Sequence, residues 1–390
     1  MQRALELQHG LADDVGMRNA PWVGTHNSFN STAEMGQTLS AQDSNQELAI
    51  TDQLDLGIRS VELDVHWFLS LQAGGLAPVV CHARSGSEAH AGCSIEKPLR
   101  EVLDEIAGWL RKPANRRAVL LLYLEDHLDN QTGYDTAASV VAQRLGGLLY
   151  QPAPGGCRRL PSDLNRRRVL ASGAQVVIVS DCGVGSGWPS VIFDWDAHKE
   201  ERPHGFTDYP DCGPDFKRIE FDNRLIRYYE DSTQLTANAG SPDDGIKPRT
   251  ASQMARCGVD LVGLDQLTRD DSRLAALVWS WAQGQPGSAR CAVQQRATQG
   301  LETPWRTRPC RKRRRPACRR GDVWVVAKHR VRQRKGRAGC RKFHARFAVP
   351  RTGYEAQLLR RAMKRAGTME VWLGYRRSSG GDWVVADARG

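Results

Sequence analysis

The sequence predicts an α/β protein in two parts: a TIM-type (β/α) barrel, and a second, smaller α+β domain braced by disulfides. Three observations support this prediction. Apolar runs alternate with helix-like stretches over about the first 260 residues, which is typical of parallel α/β folds. The charge balance reverses near residue 283, and ten cysteines are scattered along the chain. The predicted barrel spans residues 15–285, and the second domain spans residues 286–390.

The barrel strands are predicted from continuous apolar runs, which indicate strands buried on both faces of a sheet. Stretches with apolar residues at helical spacing lie between them, such as LREVLDEIAGWLRK (99–112) and YDTAASVVAQRLGGLL (134–149). This alternation favours a barrel, whose chemistry lies at the carboxyl ends of its strands. The predicted strand runs are SVELDV (60–65), APVVCHA (77–83), AVLLLYLED (118–126), AQVVIVSD (174–181), SVIFDWD (190–196) and VDLVGLDQL (259–267).

The second domain is predicted from composition and charge. Glycine, proline and serine cluster in SWAQGQPGSARC (280–291). Residues 283–390 hold 28 lysines and arginines against 6 acids, a net charge of +22, whereas the preceding residues hold 27 against 38, a net charge of −11. Opposite signs indicate two domains with different surfaces. Strand-like pieces at 323–327, 370–376 and 382–386 flank a helical pattern at 354–367, which ends at Gly367.

The cysteine pattern favours an oxidising compartment. An even number of cysteines without a CxxC pair indicates disulfides rather than a thiolate zinc site. We therefore expect an extracellular or cell-surface protein. The opening residues lack a basic start followed by an apolar core, so no signal peptide is visible and a cytoplasmic location stays open. The sequence has no run of about 18 apolar residues, so no membrane-spanning helix is predicted.

Two histidines lie near the predicted strand ends. His26 lies in GTHNSF (24–29), and His82 lies at the polar end of the APVVCHA run (77–83). Imidazoles titrate near neutrality, so such a pair can act as general base and general acid. The alternative for His82 is a packed histidine beside a Cys81–Cys93 disulfide. Asp196 and Asp265 end later runs and could orient a histidine, but no role is assigned to them.

Four oxygen-bearing side chains are predicted to bind a metal. Glu62 and Asp64 are two residues apart on one strand, so they share a face. Glu125 ends another run, and Asn27 follows the first histidine. Carboxylate and amide oxygens suit Ca²⁺, and Mg²⁺ less well. The alternative is that one of the acids on the 60–65 run pairs with Arg59 at the surface. A metal beside two imidazoles would suit a phosphodiester substrate.

Four motifs resemble the X-region of phosphatidylinositol-specific phospholipase C enzymes: GTHNSF (24–29), LDLGIRSVELDV (54–65), VVCHA (79–83) and LLYLEDH (121–127). Weaker likeness continues through VVIVSD and LVGLDQL, so about 260 residues are covered. The resemblance implies a lipid substrate at a membrane surface. It also implies an attack by the inositol 2-hydroxyl on phosphorus, which releases diacylglycerol.

The resemblance also implies roles for individual residues. His26 corresponds to the general base of the family and His82 to its general acid. The set Asn27, Glu62, Asp64 and Glu125 is similar to that of the Ca²⁺-dependent branch. The lysines that grip the substrate in this family are not evident in VSDCGVGSGW (179–188), so the inositol-binding residues cannot be carried over.

The basic run CRKRRRPACRR (310–320) has two interpretations: a solvated surface, or electrostatic attraction to anionic lipid. Nucleic acid is an unlikely partner because no groove-reading motif or aromatic-interleaved pattern is present. Segments of the second domain resemble the two halves of a C-type-lectin-like domain in permuted order. The Ca²⁺-binding sugar motif of that family is absent.

Two alternative functions stay open. A glycerophosphodiester phosphodiesterase also uses a barrel, two histidines and a pair of acids, but that family prefers His-Arg-Gly where this chain has His26-Asn27-Ser28. A catalytically silent protein that binds a surface or glycan is the second alternative, and the intact histidines count against it.

Overall fold

The computed structural model describes residues 1–35, 43–83, 91–200, 205–213, 224–239, 245–297 and 304–386. The first unit contains a curled sheet of nine strands. These are β1 (Trp22–Thr25), β2 (Ser60–Ser70), β3 (Gly75–Val80), β4 (Leu120–His127), β5 (Val176–Ser180), β6 (Phe193–Asp194), β7 (His198–Lys199), β8 (Ile226–Tyr229) and β9 (Leu261–Leu264).

Eight of these strands are parallel and run in the order β6-β5-β4-β2-β1-β9-β8-β7. Chain order is therefore conserved around the sheet, as in a TIM barrel. Within the described residues no ladder joins β6 to β7, so the barrel is open at that seam. The fold class predicted from the alternating apolar runs is confirmed.

The apolar runs form strands because both of their faces are covered. All five residues of β5 are buried, and so are the first five of β4. Helix α4 (Leu99–Arg111), with its amphipathic pattern, places a buried face of leucine, valine and isoleucine against this sheet. The helices of the first unit are α1 (Gln2–Leu11), α2 (Thr32–Met35), α3 (Ile50–Asp55), α4 (Leu99–Arg111), α5 (Gln131–Leu145), α6 (Arg166–Ala171), α7 (Gln234–Ala239), α8 (Pro248–Cys257) and α9 (Ser272–Ala276).

One run was assigned the wrong strand type. The APVVCHA run forms β3, which is antiparallel to the far end of β2 and pairs Val80 with Val65. It is a hairpin strand that returns toward the barrel rather than a parallel barrel strand. Apolar composition cannot distinguish these cases, because both place the run in a buried position. The hairpin still brings His82 to the barrel, since the Cys81 amide donates to the Asp64 carbonyl at 3.2 Å.

The second unit is built on a mixed sheet in the order β11-β10-β15-β12-β13. Strands β12 and β15 are parallel, and the other pairs are antiparallel. The helix and strands predicted for this region are present. Its elements are β10 (Cys291–Gln295), β11 (Trp305–Arg308), β12 (Arg315–Arg320), β13 (Val323–Val326), β14 (Arg346–Phe347), β15 (Glu370–Arg377), β16 (Trp383–Val385), α10 (Gly336–Arg341) and α11 (Gly353–Arg365).

All ten cysteines form disulfides, which confirms the prediction from their number. None of the bridges joins the two units. The pairs are Cys81–Cys93, Cys157–Cys182, Cys212–Cys257, Cys291–Cys310 and Cys318–Cys340.

The second unit packs against the amino-terminal side of the barrel. Helix α11 lies against α8, and Arg351 pairs with Asp14. Helix α1 lies between the units, because Leu5 belongs to the barrel core while Leu11 packs with the tryptophans of the second unit. The opposite, carboxyl-terminal rim of the barrel is left to the predicted site residues. Among the described residues, no helix is long and apolar enough to span a membrane.

Candidate active site

The carboxyl ends of neighbouring strands bring the predicted site residues together. β1 pairs with β2 on one side and with β9 on the other, and β2 pairs Asp64 with Glu125 of β4. Because all these strands are parallel, His26, Glu62 and Asp265 reach the same rim. Here "the rim" means this carboxyl-terminal edge of the barrel.

His26 is held by a buried aspartate. Its Nδ1 lies 3.2 Å from Asp265 Oδ2, and Asp265 is fully buried. Burial lowers the pKa of His26, but the charges of Asp265, Glu62 and Asp64 outweigh that effect and raise the pKa to about 10. A positive charge beside these acids would oppose their effect and favour the neutral ring. With Nδ1 engaged, Nε2 is the nitrogen that could exchange a proton with a substrate.

Asp265 is fixed by a network that sequence reasoning missed. Its Oδ2 accepts from the Ser232 amide at 2.7 Å, and its Oδ1 accepts from Gln46 Nε2 at 3.2 Å. Glu230 Oε2 accepts from the Asp265 amide at 2.6 Å and from Arg273 at 2.7 Å. Gln46 and Ser232 lie in loops, Glu230 directly follows the short strand β8, and Arg273 lies in α9. None of them belongs to an apolar run that the sequence marked. The aspartate to which no role had been assigned is therefore the one that orients His26.

Three carboxylates form a cluster that could hold a metal ion. Each of Glu62, Asp64 and Glu125 offers one oxygen, and these oxygens lie within 4.8 Å of one another. Burial, followed by the neighbouring acids, raises the pKa of Asp64 well above its ordinary value. Burial also raises the pKa of Glu62 to about 7, against the effect of His26. Convergent buried carboxylates repel one another, so a cation between them would stabilise the cluster.

Glu125 is the outermost of the three acids. A hydrogen bond from His127, whose Nε2 lies 3.2 Å from Glu125 Oε1, lowers the pKa of this carboxyl despite partial burial. The His127 ring stacks on His66, with centroids 4.5 Å apart. Both histidines come from adjacent positions of the β2–β4 ladder. His127 supports the acid from outside the cluster, and His66 packs behind it.

Asn27 adds an amide to the same cluster. Its φ of +40° lies in the left-handed region, which asparagine tolerates better than most residues. One atom of its amide lies 2.9 Å from both Asp64 carboxylate oxygens, and the other lies 3.2 Å from Asn45 Oδ1.

The Asn27 amide can face its neighbours in two ways. Asn45 Oδ1 accepts from Asn30 at 2.8 Å, and its amide nitrogen donates to the Ser232 carbonyl at 3.0 Å. With its nitrogen toward Asn45, Asn27 donates one hydrogen bond to Asn45 Oδ1 at 3.2 Å. With the amide turned over, its nitrogen donates to both Asp64 carboxylate oxygens at 2.9 Å. In either orientation the Asn27 amide lies against the acid cluster, within reach of an ion held there.

His82 is half-buried at the edge of the rim. Its Nδ1 lies 3.1 Å from Asp43 Oδ2, and the Cys81–Cys93 disulfide fixes the preceding residue. The disulfide of the alternative interpretation is present, but His82 also has an acidic partner. Asp43 is exposed and was not predicted, because it lies in a loop far from the recognised motifs.

The surface-pair interpretation of the acids is wrong. Arg59 points to the other end of the barrel, where it donates to the carbonyls of Leu54 and Ile58 at 2.8 and 2.7 Å. Asp196 also serves a different purpose, since it pairs with Arg159 at 3.1 Å rather than orienting His26.

A cationic aromatic cage in the barrel interior was also missed. Arg227 on β8 lies 4.8 to 5.5 Å from the ring centroids of three aromatic side chains. Its charge opposes the rise in the pKa of Glu62 and contributes to the lowered pKa of Glu125. The IRYY segment is too short to stand out as an apolar run. The three rings belong to Tyr123, Trp195 and Tyr229.

Comparison with known structures finds phospholipases of low sequence identity. The phosphatidylinositol-specific phospholipase C of Listeria monocytogenes is 14% identical with a TM-score of 0.46, covering 70% of this chain and 97% of that chain. A calcium-dependent phosphoinositol-specific phospholipase C of a Pseudomonas species is 13% identical with a TM-score of 0.36, covering 68% of this chain and 93% of that chain.

The sequence matches are stronger. The proteins Rv2075c and MT2135, from two strains of Mycobacterium tuberculosis, are each 36% identical to this chain over 396 aligned residues. The match covers 96% of this chain and 79% of each relative. The model of the family described as "Rv2075c PI-PLC-like domain" matches residues 1–271, which include every residue of the rim. On these matches, the chain belongs to the Rv2075c PI-PLC-like domain family.

Proposed function

We propose that this protein is a phospholipase C-like phosphodiesterase that cleaves a phosphoinositide-type lipid with Ca²⁺ and two histidines. One observation carries the proposal. An imidazole held by a buried aspartate, His26 with Asp265, lies beside a cluster of three carboxylates at the barrel rim. Membership of a PI-PLC-like family supports the same reaction class.

His26 is proposed as the general base. Asp265 on Nδ1 fixes the ring orientation and favours the tautomer whose Nε2 accepts a proton. Nε2 would take the proton of the inositol 2-hydroxyl as that oxygen bonds to phosphorus. Because nucleophile and phosphorus belong to one molecule, the attack is effectively unimolecular.

His82 is proposed as the general acid. Its imidazole, oriented by Asp43 on Nδ1, would give a proton to the glycerol oxygen as the bond from that oxygen to phosphorus breaks. The products are diacylglycerol and a cyclic inositol phosphate. Water can then open the ring by the reverse proton transfers, which gives the linear phosphate.

The proposed metal ligands are Asn27, Glu62, Asp64 and Glu125. The set offers oxygen atoms only, three of them from carboxylates, and Ca²⁺ accepts such sets with less strict geometry than the octahedron of Mg²⁺. When bound, Ca²⁺ would supply positive charge that offsets both the phosphate and the surrounding carboxylates. The convergence of the three carboxylates, whose oxygens lie within 4.8 Å of one another, supports this assignment.

We also propose that the enzyme works at a membrane surface outside the cytoplasm. A lipid substrate requires work at a membrane surface. Five disulfides support an oxidising compartment. The sequence interpretation of the second domain as an anionic-lipid binder stays a prediction, and so does its likeness to C-type lectins.

The test is turnover of phosphatidylinositol vesicles by the wild type and by His26→Gln, in Ca²⁺ and in chelator. We expect the substitution to lower kcat by at least about a thousandfold, since it removes the base. Phosphorus NMR at early times should show a cyclic phosphate. His344→Gln, which changes an exposed histidine of the second unit, is the matched control and should retain full activity.

Three outcomes would contradict parts of the proposal. Equal turnover by His26→Gln and wild type would remove the base assignment. Turnover that is indifferent to chelation would remove Ca²⁺. A linear product without an early cyclic phosphate would favour direct hydrolysis, as in the glycerophosphodiester phosphodiesterase alternative.

A stability measurement tests the metal site without relying on activity. A ligand present at a hundred times its Kd should stabilise the fold by about 3 kcal/mol. Ca²⁺ should therefore raise the free energy of unfolding of the wild type, and Asp64→Asn should reduce that gain. The metal-free variant should be at least as stable as the metal-free wild type, because it loses a repulsive buried charge. A Ca²⁺ effect of equal size in both proteins would place the ion elsewhere.

A further inference from the structure

The densest basic run of the chain does not form its most open basic surface. Within CRKRRRPACRR, Arg314 pairs with Glu370, and Arg319 Nη1 lies 2.7 Å from Glu355 Oε1. Arg315 donates to the Ala366 carbonyl at 2.7 Å. These three side chains hold the second unit together, so their charges are largely neutralised or directed at the backbone.

A separate cleft gathers arginines that pair with no acid within the described residues, although Arg377 donates to the Gly287 carbonyl at 3.0 Å and Arg290 to the Arg377 carbonyl at 3.3 Å. It has a volume of about 620 Å³ and is lined by Ala289, Pro309, Gln333, the Cys291–Cys310 disulfide and six arginines, with no acidic side chain. Over the described ranges, none of the six arginines forms an ion pair with an acid. We call this feature the arginine cleft; its arginines are Arg290, Arg311, Arg332, Arg334, Arg376 and Arg377.

The fold brings four separate segments to the arginine cleft. Strand pairing places Arg376 opposite Cys291, and the Arg377 amide donates to the Arg290 carbonyl at 2.8 Å. The disulfide then fixes the 309–311 segment beside β10. The 332–334 segment is attached by the buried Gln333, whose amide donates to the Cys310 carbonyl at 3.3 Å. The arginines therefore come from four segments with fixed backbone positions rather than from one continuous basic segment.

Such an arrangement favours a compact, multiply charged anion. Six guanidinium groups without acids repel one another, and an anion between them would relieve that repulsion. Guanidinium groups bind phosphate oxygens through paired hydrogen bonds. A carboxylate offers fewer acceptor oxygens than a phosphate group, so it can bind fewer guanidinium groups. The bounded volume suits a small ligand better than a long polymer, which needs an extended stripe.

We propose that the arginine cleft is a second ligand site that binds closely spaced phosphate groups. The source could be a multiply phosphorylated lipid headgroup or a free oligophosphate, which share this chemistry. All lining residues belong to the second unit, and none belongs to the rim. The proposal therefore goes beyond the barrel reaction and stands or falls independently of it.

The test is calorimetric titration of the full chain with sodium tripolyphosphate in a metal-free, low-salt buffer. Arg290→Gln combined with Arg376→Gln should weaken the affinity by about tenfold or more, since two charged donors are lost. The matched control is Arg320→Gln with Arg346→Gln, which removes the same charge from exposed positions outside the cleft. The control should change the affinity less than threefold, as expected of screened surface charges. Arg311→Gln with Arg334→Gln is a second cleft pair in case the first misfolds.

Vesicles identify the source of the phosphate. If the ligand is a lipid headgroup, phosphatidylcholine vesicles with a few per cent of phosphatidylinositol bisphosphate should bind the wild type, and the cleft variant should not bind them. Binding of tripolyphosphate alone would assign a soluble ligand. Equal weakening by cleft and control variants would overturn the proposal, as would wild type that binds neither probe. Tighter, cleft-dependent binding of duplex DNA than of tripolyphosphate would also overturn it.

Discussion

The two ends of the barrel both bury charged side chains, but they treat them differently. At the amino-terminal end, Arg166 is 3% exposed. At the carboxyl-terminal rim, Glu62 is 2% exposed and Asp265 is fully buried. Burial alone therefore does not separate a structural charge from a functional one. The difference lies in what surrounds each charge.

At the amino-terminal end, backbone carbonyls and indole rings surround the arginines. Arg166 donates to the carbonyls of His9 and Pro21 at 3.0 and 2.9 Å and lies 4.0 Å from the Trp22 ring centroid. Arg59 is held in the same way by two carbonyls, with its guanidinium 5.2 Å from the Trp109 ring centroid. These contacts compensate part of the desolvation, although burial still lowers the pKa of each arginine to about 10.

At the rim, acids face acids. Glu62, Asp64 and Glu125 converge beside the side-chain amide of Asn27, and the nearby positive charges are those of His26 and Arg227. A like-charged buried cluster persists in a fold only if something stabilises it or selects for it. The comparison teaches that like charge without local compensation is the better indicator of a ligand site.

The strongest challenge to this comparison is Asp265→Asn. An amide at this position can no longer stabilise the imidazolium and favours the wrong tautomer, so kcat should fall by about a thousandfold or more. KM should change little, because Asp265 does not contact the substrate in the proposed mechanism. The measurement is steady-state kinetics on phosphatidylinositol vesicles.

Asp104→Asn is the matched control for that substitution. Asp104 is exposed on α4 and pairs only loosely with Arg144, at 3.4 Å, so activity should be unchanged. A fall in kcat and a rise in KM of similar size, or a loss of folded protein by circular dichroism, would mean that Asp265 is a structural residue like those at the other end.

The converse prediction concerns Arg166→Met at the amino-terminal end. The apolar side chain keeps much of the volume but loses two charged hydrogen bonds, and we expect a loss of about 2 kcal/mol in the free energy of unfolding. Turnover by the remaining folded protein should stay unchanged. Urea denaturation followed by kinetics below the transition measures both.

Arg167→Met is the control for the arginine. Arg167 is exposed and lies 3.9 Å from Asp14, a pair that should contribute little to stability. If Arg166→Met lowered kcat without lowering stability, the assignment of the two ends would have to be reversed.

The barrel and the rim acids could be predicted from the sequence because both depend on local patterns. Continuous apolar runs indicated buried strands, and the parallel register places Asp64 beside Glu125. Strand direction is not local, so the hairpin strand β3 was taken for a barrel strand. The loop partners Asn45, Gln46 and Ser232 also lay beyond reach, because only the tertiary fold brings them to Asp265.

Charge density was the least reliable signal. The 310–320 run stands out by composition, yet Arg314 and Arg319 pair with acids that are distant in sequence. The arginine cleft is assembled from four segments, none of which is the dense run itself, although Arg311 comes from its start. A linear pattern records how many charges a segment has, whereas function depends on which of them remain uncompensated.

A pH-dependent stability measurement on His9 tests whether the amino-terminal end accepts a further positive charge beside its arginines. His9 lies beside Arg166 and Arg59, and its Nε2 is buried with no hydrogen-bond partner. Burial, followed by the two arginines, lowers the pKa of His9 well below its ordinary value. The folded state therefore holds His9 neutral, while the unfolded chain protonates it below about pH 6.5.

Because the unfolded state binds more protons, stability must fall as the pH falls through that range. Wild type should lose about 1 kcal/mol of unfolding free energy between pH 7 and pH 5.5 through this residue, and His9→Gln should lose less. Urea denaturation at the two pH values gives the difference, with His344→Gln as the exposed control. Equal losses in wild type and His9→Gln would contradict the prediction, because the folded state would then protonate His9 as readily as the unfolded chain does. The amino-terminal end would then accept a third positive charge beside its two arginines, which would weaken its contrast with the rim.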